Sequence, residues 1–161
     1  MAAQQTYHYV IEKTQESTGN DSIAFELAIL LLKIGKGNQA INKFLDIGEQ
    51  FPNSSLAREG LARAGHISFA MNDYKKSVDL YKSLITKYGN PDSLIYGQYA
   101  IALFRTENFD TAQEIAKSFK KRFDRSWEPR FELEIANYYR RSKQYVKALK
   151  AYKKIMQTDS P

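Results

Sequence analysis

The chain has 161 residues, of which 43% are hydrophobic and 26% charged, and its formal net charge is +6. That is enough apolar material for one globular domain with a sizeable core and too much for a disordered chain. With no cysteine, disulfides, thiolate zinc sites and cysteine nucleophiles are excluded. The charge is uneven, since residues 1–80 carry 8 basic and 9 acidic side chains whereas residues 81–161 carry 16 and 9.

Sparse proline and glycine favour long helices over a turn-rich β fold. The first segment holds Tyr7, Tyr9, Val10 and Ile11, and a helix near 4–17 is expected there. A second helix, near 22–35, is apolar nearly all round through Ile23, Phe25, Leu27, Ile29, Leu30, Leu31 and Leu32, which predicts burial on several sides. Either the N-terminal segment, acting as a cap, or a second chain is expected to cover it. Glu26 and Lys33 interrupt this stretch, and it is too short to cross a bilayer; no signal peptide is recognised. Gly35 to Asn38 then form a turn into a helix near 38–51. Asn53-Ser54-Ser55 offer acceptors to the amides that open a helix near 55–71. Asn72-Asp73 lead into a helix near 74–88, and Asn90-Pro91-Asp92-Ser93 into one near 93–106. Glu107-Asn108 precede a helix near 109–122, Ser126 to Pro129 one near 129–141, and Ser142-Lys143 one near 144–157.

Two patterns recur along this series. A small residue is followed four positions later by a larger apolar group or alanine, as Ala40…Phe44, Ser77…Tyr81, Ala112…Ala116 and Ala148…Tyr152, with first members 37, 35 and 36 residues apart. Upstream of each runs one helix face at i, i+3, i+4, i+7: Ala24-Leu27-Ala28-Leu31, Leu61-Ala64-Gly65-Ser68, Tyr96-Tyr99-Ala100-Leu103 and Glu132-Ile135-Ala136-Tyr139. On these residues the chain resembles the tetratricopeptide repeat family over roughly residues 21 to 160. The resemblance implies an all-α, right-handed α-solenoid of four helix-turn-helix repeats, 21–57, 58–92, 93–128 and 129–161, behind an N-terminal capping segment, 1–20. Two departures stand out. Glu132 occupies a position where the family has a tryptophan-type residue, and the proline closing the second helix is present only as Pro52. The turns Phe51-Pro52-Asn53-Ser54 and Gly89-Asn90-Pro91-Asp92-Ser93 are similar to those of bacterial envelope members. That similarity makes the periplasm or outer membrane, reached with loss of a signal segment, one expected compartment and the cytoplasm the other. No polar closing helix follows residues 144–157, so either a longer parent protein or self-association through 145–157 is expected.

The resemblance further implies that the first helix of each repeat lines a concave groove. Carried over position by position, the candidate partner-binding residues are Phe25, then His66 and Phe69, then Ile101, Phe104 and Arg105, then Arg130, Asn137, Arg140 and Arg141. Such a groove, apolar at one end and basic at the other, suits a protein or peptide ligand with apolar and acidic groups. The alternative makes the aromatics core beneath the N-terminal helix and the arginines a solvated end. The carboxylate clamp by which some family members hold chaperone tails is missing, because Phe25, Ile29, Arg63, Leu94 and Gln98 stand at its positions.

On the last helix Lys143, Lys147, Lys150 and Lys154 make one stripe, opposite Tyr145, Ala148, Leu149, Tyr152 and Ile155. Lys117, Lys120, Lys121, Arg122 and Arg125 add a cluster nearby. This surface reads as a solvated convex face, or as a footprint for nucleic acid or an anionic membrane. No catalytic constellation is found: His8 and His66 have no ligand spacing, Gly35-Lys36-Gly37 lacks phosphate-loop spacing, and no serine sits in G-x-S-x-G. Neither enzymatic activity nor a metal or cofactor is expected. The expected function is a protein-interaction scaffold, with a self-assembling homo-oligomer or a basic surface for nucleic acid or membrane as alternatives.

Overall fold

The computed structural model describes residues 21–89, 91–123 and 127–158. The helix expected near 4–17 and the N-terminal cap lie outside the described residues. Eight helices occupy the described residues, and no strand is found among them: α1 (Asp21–Lys33), α2 (Gly37–Gln50), α3 (Ser55–Ala70), α4 (Tyr74–Tyr88), α5 (Ser93–Arg105), α6 (Phe109–Arg122), α7 (Glu128–Arg141) and α8 (Tyr145–Thr158). The fold is all-α and built of tetratricopeptide-like helical hairpins.

One local device makes every hairpin. The amides of Lys36, Asp73, Asn108 and Gln144 each donate to a carbonyl five residues back, at Leu31, Ser68, Leu103 and Tyr139, over 2.8 to 3.0 Å. The residue just before each donor is left-handed: Gly35 (φ 79°), Asn72 (62°), Glu107 (62°) and Lys143 (59°). This six-to-one bond satisfies a carbonyl that the helix end would otherwise orphan. The left-handed conformation costs a non-glycine residue about 1–2 kcal/mol, and the bond offsets that cost. It also explains why α1 stops at Lys33, two residues short of the expected end. Side-chain acceptors fix the starts of α3, α4 and α5, whereas α2, α6 and α7 have no side-chain cap. Ser54 Oγ accepts from Leu56 N at 3.0 Å, Asp73 Oδ1 from Lys76 N at 3.1 Å, and Asp92 Oδ1 from Ile95 N at 2.8 Å. Pro129 stands in the first turn of α7, where its missing amide is not needed.

The hairpins gather into two compact units, Met1–Gly89 and Asn90–Pro161. In unit 1 the core is mostly aliphatic: Leu27, Ala28 and Leu31 of α1, Ala40, Ile41, Phe44 and Ile47 of α2, and Ala64 and Ile67 of α3. Helix α1 is not uniformly buried as its composition suggested; Leu27, Ala28 and Leu31 are buried, Ile29 and Leu30 half-buried, and Leu32 exposed. Close approach is made by glycine. A Cβ on Gly60 would lie 2.7 Å from the Phe44 carbonyl oxygen, and one on Gly65 would lie 2.6 Å from the Tyr81 ring. The buried hydroxyls here are paired, Ser68 Oγ donating to Ala64 O at 2.9 Å and Ser77 Oγ to Gly65 O at 3.3 Å.

Unit 2 is packed with aromatic rings. Phe119 of α6 is the hub, with Phe123 at 4.8 Å, Phe131 at 5.3 Å, Trp127 at 6.1 Å and Tyr96 at 6.4 Å between centroids. Gly97 makes room for Trp127, whose indole lies 2.6 Å from where a Cβ would stand. A second group stacks Phe109 on Tyr138 at 3.8 Å and sets Phe109 edge-on to Phe104 at 5.8 Å.

Candidate functional site

The expected groove residues of unit 1 are mostly engaged with their own neighbours. The Phe25 ring meets Phe44 edge-on at 5.1 Å and carries the Arg63 guanidinium over its face at 5.5 Å. His66 Nδ1 lies 2.8 Å from the Tyr81 hydroxyl, so the histidine orients a buried tyrosine. Phe69 packs edge-on against Tyr74 at 5.5 Å. Beside His66, an apolar hollow of about 450 Å³ is lined by Leu32, Ile67, Ala70 and Met71.

In unit 2 the expected residues divide between core, inter-helix contacts and surface. Ile101 and Phe104 are buried, because α5 is covered by its neighbours along most of its length, and their side chains belong to the core. Arg105 forks onto Glu134 of α7, with Nε donating to one carboxylate oxygen at 2.7 Å and Nη2 donating to the other. Glu134 is buried, so its charge depends on this pairing. Arg141 Nη2 donates to the Phe104 carbonyl at 3.1 Å and complements the negative end of α5. Asn137 Oδ1 accepts from the Tyr152 hydroxyl at 2.7 Å, and the Arg130 guanidinium lies over the Trp127 ring at 4.7 Å. Arg140 is exposed. Arg105 and Arg141 therefore tie α5 to α7 and do not form an open clamp for a ligand carboxylate.

The open surface of unit 2 lies elsewhere, between α7 and α8. A groove of about 760 Å³ is lined by Ile135 and Tyr139 of α7 and by Val146 and Leu149 of α8. Val146 is 85% exposed and Leu149 57%. Lys147, Lys150, Lys153 and Lys154 rim it. Lys147 Nζ sits 5.5 Å above the Tyr139 ring, and Lys154 Nζ is paired with Glu132 at 2.8 Å. Glu132, at the position most unlike the repeat pattern, thus joins α7 to α8 by charge.

Two sequence readings change here. The lysine stripe is not a solvated outer face alone, since Lys147, Lys150 and Lys154 border an apolar groove. Leu149 and Tyr145 are exposed, whereas Ala148 alone of their expected face is fully buried. The signal for this groove was present as Val146, Leu149, Lys150, Lys153, Lys154 and Gln157, which share one helix face. Among the described residues no group of three acidic or histidine side chains could hold a metal ion, and no helix is long and apolar enough to cross a membrane.

No family model matches this sequence. No curated protein matches it. Solved structures of MamA share its fold. For MamA MSR-1 the TM-score is 0.69 at 18% identity, over 97% of this chain and 88% of that one. For MamA AMB-1 it is 0.68 at 17% identity, over 98% and 83%. For MamA residues 41 to the end from Desulfovibrio magneticus RS-1 it is 0.66 at 15% identity, over 98% and 88%. At these identities the likeness speaks for the all-α helical-repeat fold and not for a ligand.

Proposed function

We propose that the chain is a protein-interaction scaffold without a catalytic role, and that the α7–α8 groove of unit 2 is its docking surface for another protein. The observation that carries this reading is the exposure of Val146 and Leu149 above Ile135 and Tyr139. Burying one such aliphatic side chain is worth about 1.5–3 kcal/mol, and contiguous exposed apolar groups mark interaction surfaces. The inner-face reading keeps less support, because Arg105 and Arg141 already serve Glu134 and the Phe104 carbonyl.

A homo-oligomer formed by two such grooves face to face would set lysine rim against lysine rim, which disfavours it. A nucleic acid footprint is disfavoured by the paired state of Lys154 and by the apolar side chains that line the groove, and the crosslinking below separates a protein from a lipid surface. The test is photo-crosslinking in the native cell from a reactive residue placed at Lys153. Protein adducts that disappear in a Val146→Asp/Leu149→Asp double variant are expected. Adducts to nucleic acid or lipid, or adducts indifferent to the double change, would overturn the reading. Both positions are exposed, so circular dichroism is expected to show an unchanged fold.

A further inference from the structure

We infer that the occupant of the α7–α8 groove is an amphipathic helix of a partner protein, with carboxylates flanking its apolar stripe and a small residue at its centre. This rests on the docking role proposed above for the same groove. The shape argument comes from unit 1. The anchors Ala40 and Ala148 occupy equivalent repeat positions, so Ile135, Tyr139, Leu149 and Tyr152 are the counterparts of Leu27, Leu31, Ile41 and Phe44. Those four are buried in unit 1, in one cluster with Ala64 and Ile67 of α3. A helix is therefore what this chain itself lays across a hairpin of this pattern. That helix comes close because Gly60 faces the Phe44 carbonyl, so a small residue is expected where the occupant crosses Tyr152.

The charge argument separates the two hairpins. At the rim positions unit 1 has Gln39, Asn42, Leu45 and Asp46, whereas unit 2 has Lys147, Lys150, Lys153 and Lys154. The helix covering the unit 1 hairpin carries Arg58 and Arg63 beside Glu59, a composition that the lysine rim would repel. Carboxylates flanking an apolar stripe complement that rim and select against basic helices. A second copy docked groove to groove is disfavoured by the same rim, and the preference is for an acidic helix.

The experiment is selection of displayed helical peptides of about 16 residues, apolar at i, i+3, i+4 and i+7 and random elsewhere, on the full chain. Clones lost on the Leu149→Asp variant are sequenced. The expected clones are net negative, weaken at higher salt, and bind the variant at least about tenfold less. A Lys150→Glu/Lys153→Glu variant, changed only at exposed positions, is expected to select basic clones instead. Leu149-dependent clones that are neutral or basic would overturn the acidic assignment and leave the docking reading standing. An absence of Leu149-dependent clones would overturn the helical occupant, and the crosslinking at Lys153 would then judge the docking reading separately. Concentration-dependent sedimentation abolished by Val146→Asp/Leu149→Asp would identify a second copy as occupant and overturn the inference.

Discussion

Unit 1 and unit 2 follow the same repeat pattern and bring their helices together by different means. In unit 1 the crossings are made with small residues, Gly60 under the Phe44 carbonyl and Gly65 under Tyr81, around aliphatic side chains. In unit 2 a glycine serves once, Gly97 under Trp127, and the rest of the space is taken up by rings gathered on Phe119 and by the buried charge of Glu134. The groove of the first hairpin in unit 1 is filled by α3, and that of the last hairpin in unit 2 is open. The repeat pattern thus governs where helices turn and leaves open how the space between them is filled.

The sharpest way to probe this contrast is Trp127→Ala. The indole fills the space left by Gly97 and opens α7, and its loss is expected to cost about 3–4 kcal/mol. Denaturant unfolding gives the total, and amide exchange is expected to show lost protection in α5 to α7 with α1 to α3 unchanged. Equal loss in both units would break the comparison. Arg105→Met comes next. It strands the buried Glu134 carboxylate at an expected cost of about 2–3 kcal/mol, reduced because the guanidinium is 38% exposed. Adding Glu134→Met to that variant is expected to recover much of the loss, since the uncompensated charge goes with it. The smallest effect belongs to unit 1. Gly60→Ala gains about 1 kcal/mol of helix propensity and drives a methyl into backbone that cannot yield, for a net loss of about 1–2 kcal/mol. A neutral result in thermal unfolding would show that the backbone at Phe44 yields and that the Gly60 crossing is not tight.

The fold was legible because its punctuation is local. Gly35, Asn72-Asp73, Glu107-Asn108 and Ser142-Lys143 mark the turns within a few residues, and each helix lies within two residues of its expected range. The site was less legible because exposure is not local. Arg105 looked like a ligand-binding arginine until Glu134, 29 residues later, was seen to hold it. Phe104 sits on a helix apolar around most of its surface, so spacing alone could not say which side was covered. Leu149 shares its helical spacing with the buried Ala148 face through Tyr145, and periodicity cannot show that no neighbouring helix arrives.

The repeated six-to-one turn has a consequence for how such a chain can vary. Its left-handed position accepts glycine, asparagine, glutamate and lysine in this one protein, so its composition is free. Its length is not. One residue inserted before Tyr145 would turn α8 by about 100° about its axis. Val146 and Leu149 would swing away from Tyr139, and the lysines would no longer frame anything. The joints of this chain are therefore expected to tolerate substitution and to resist insertion.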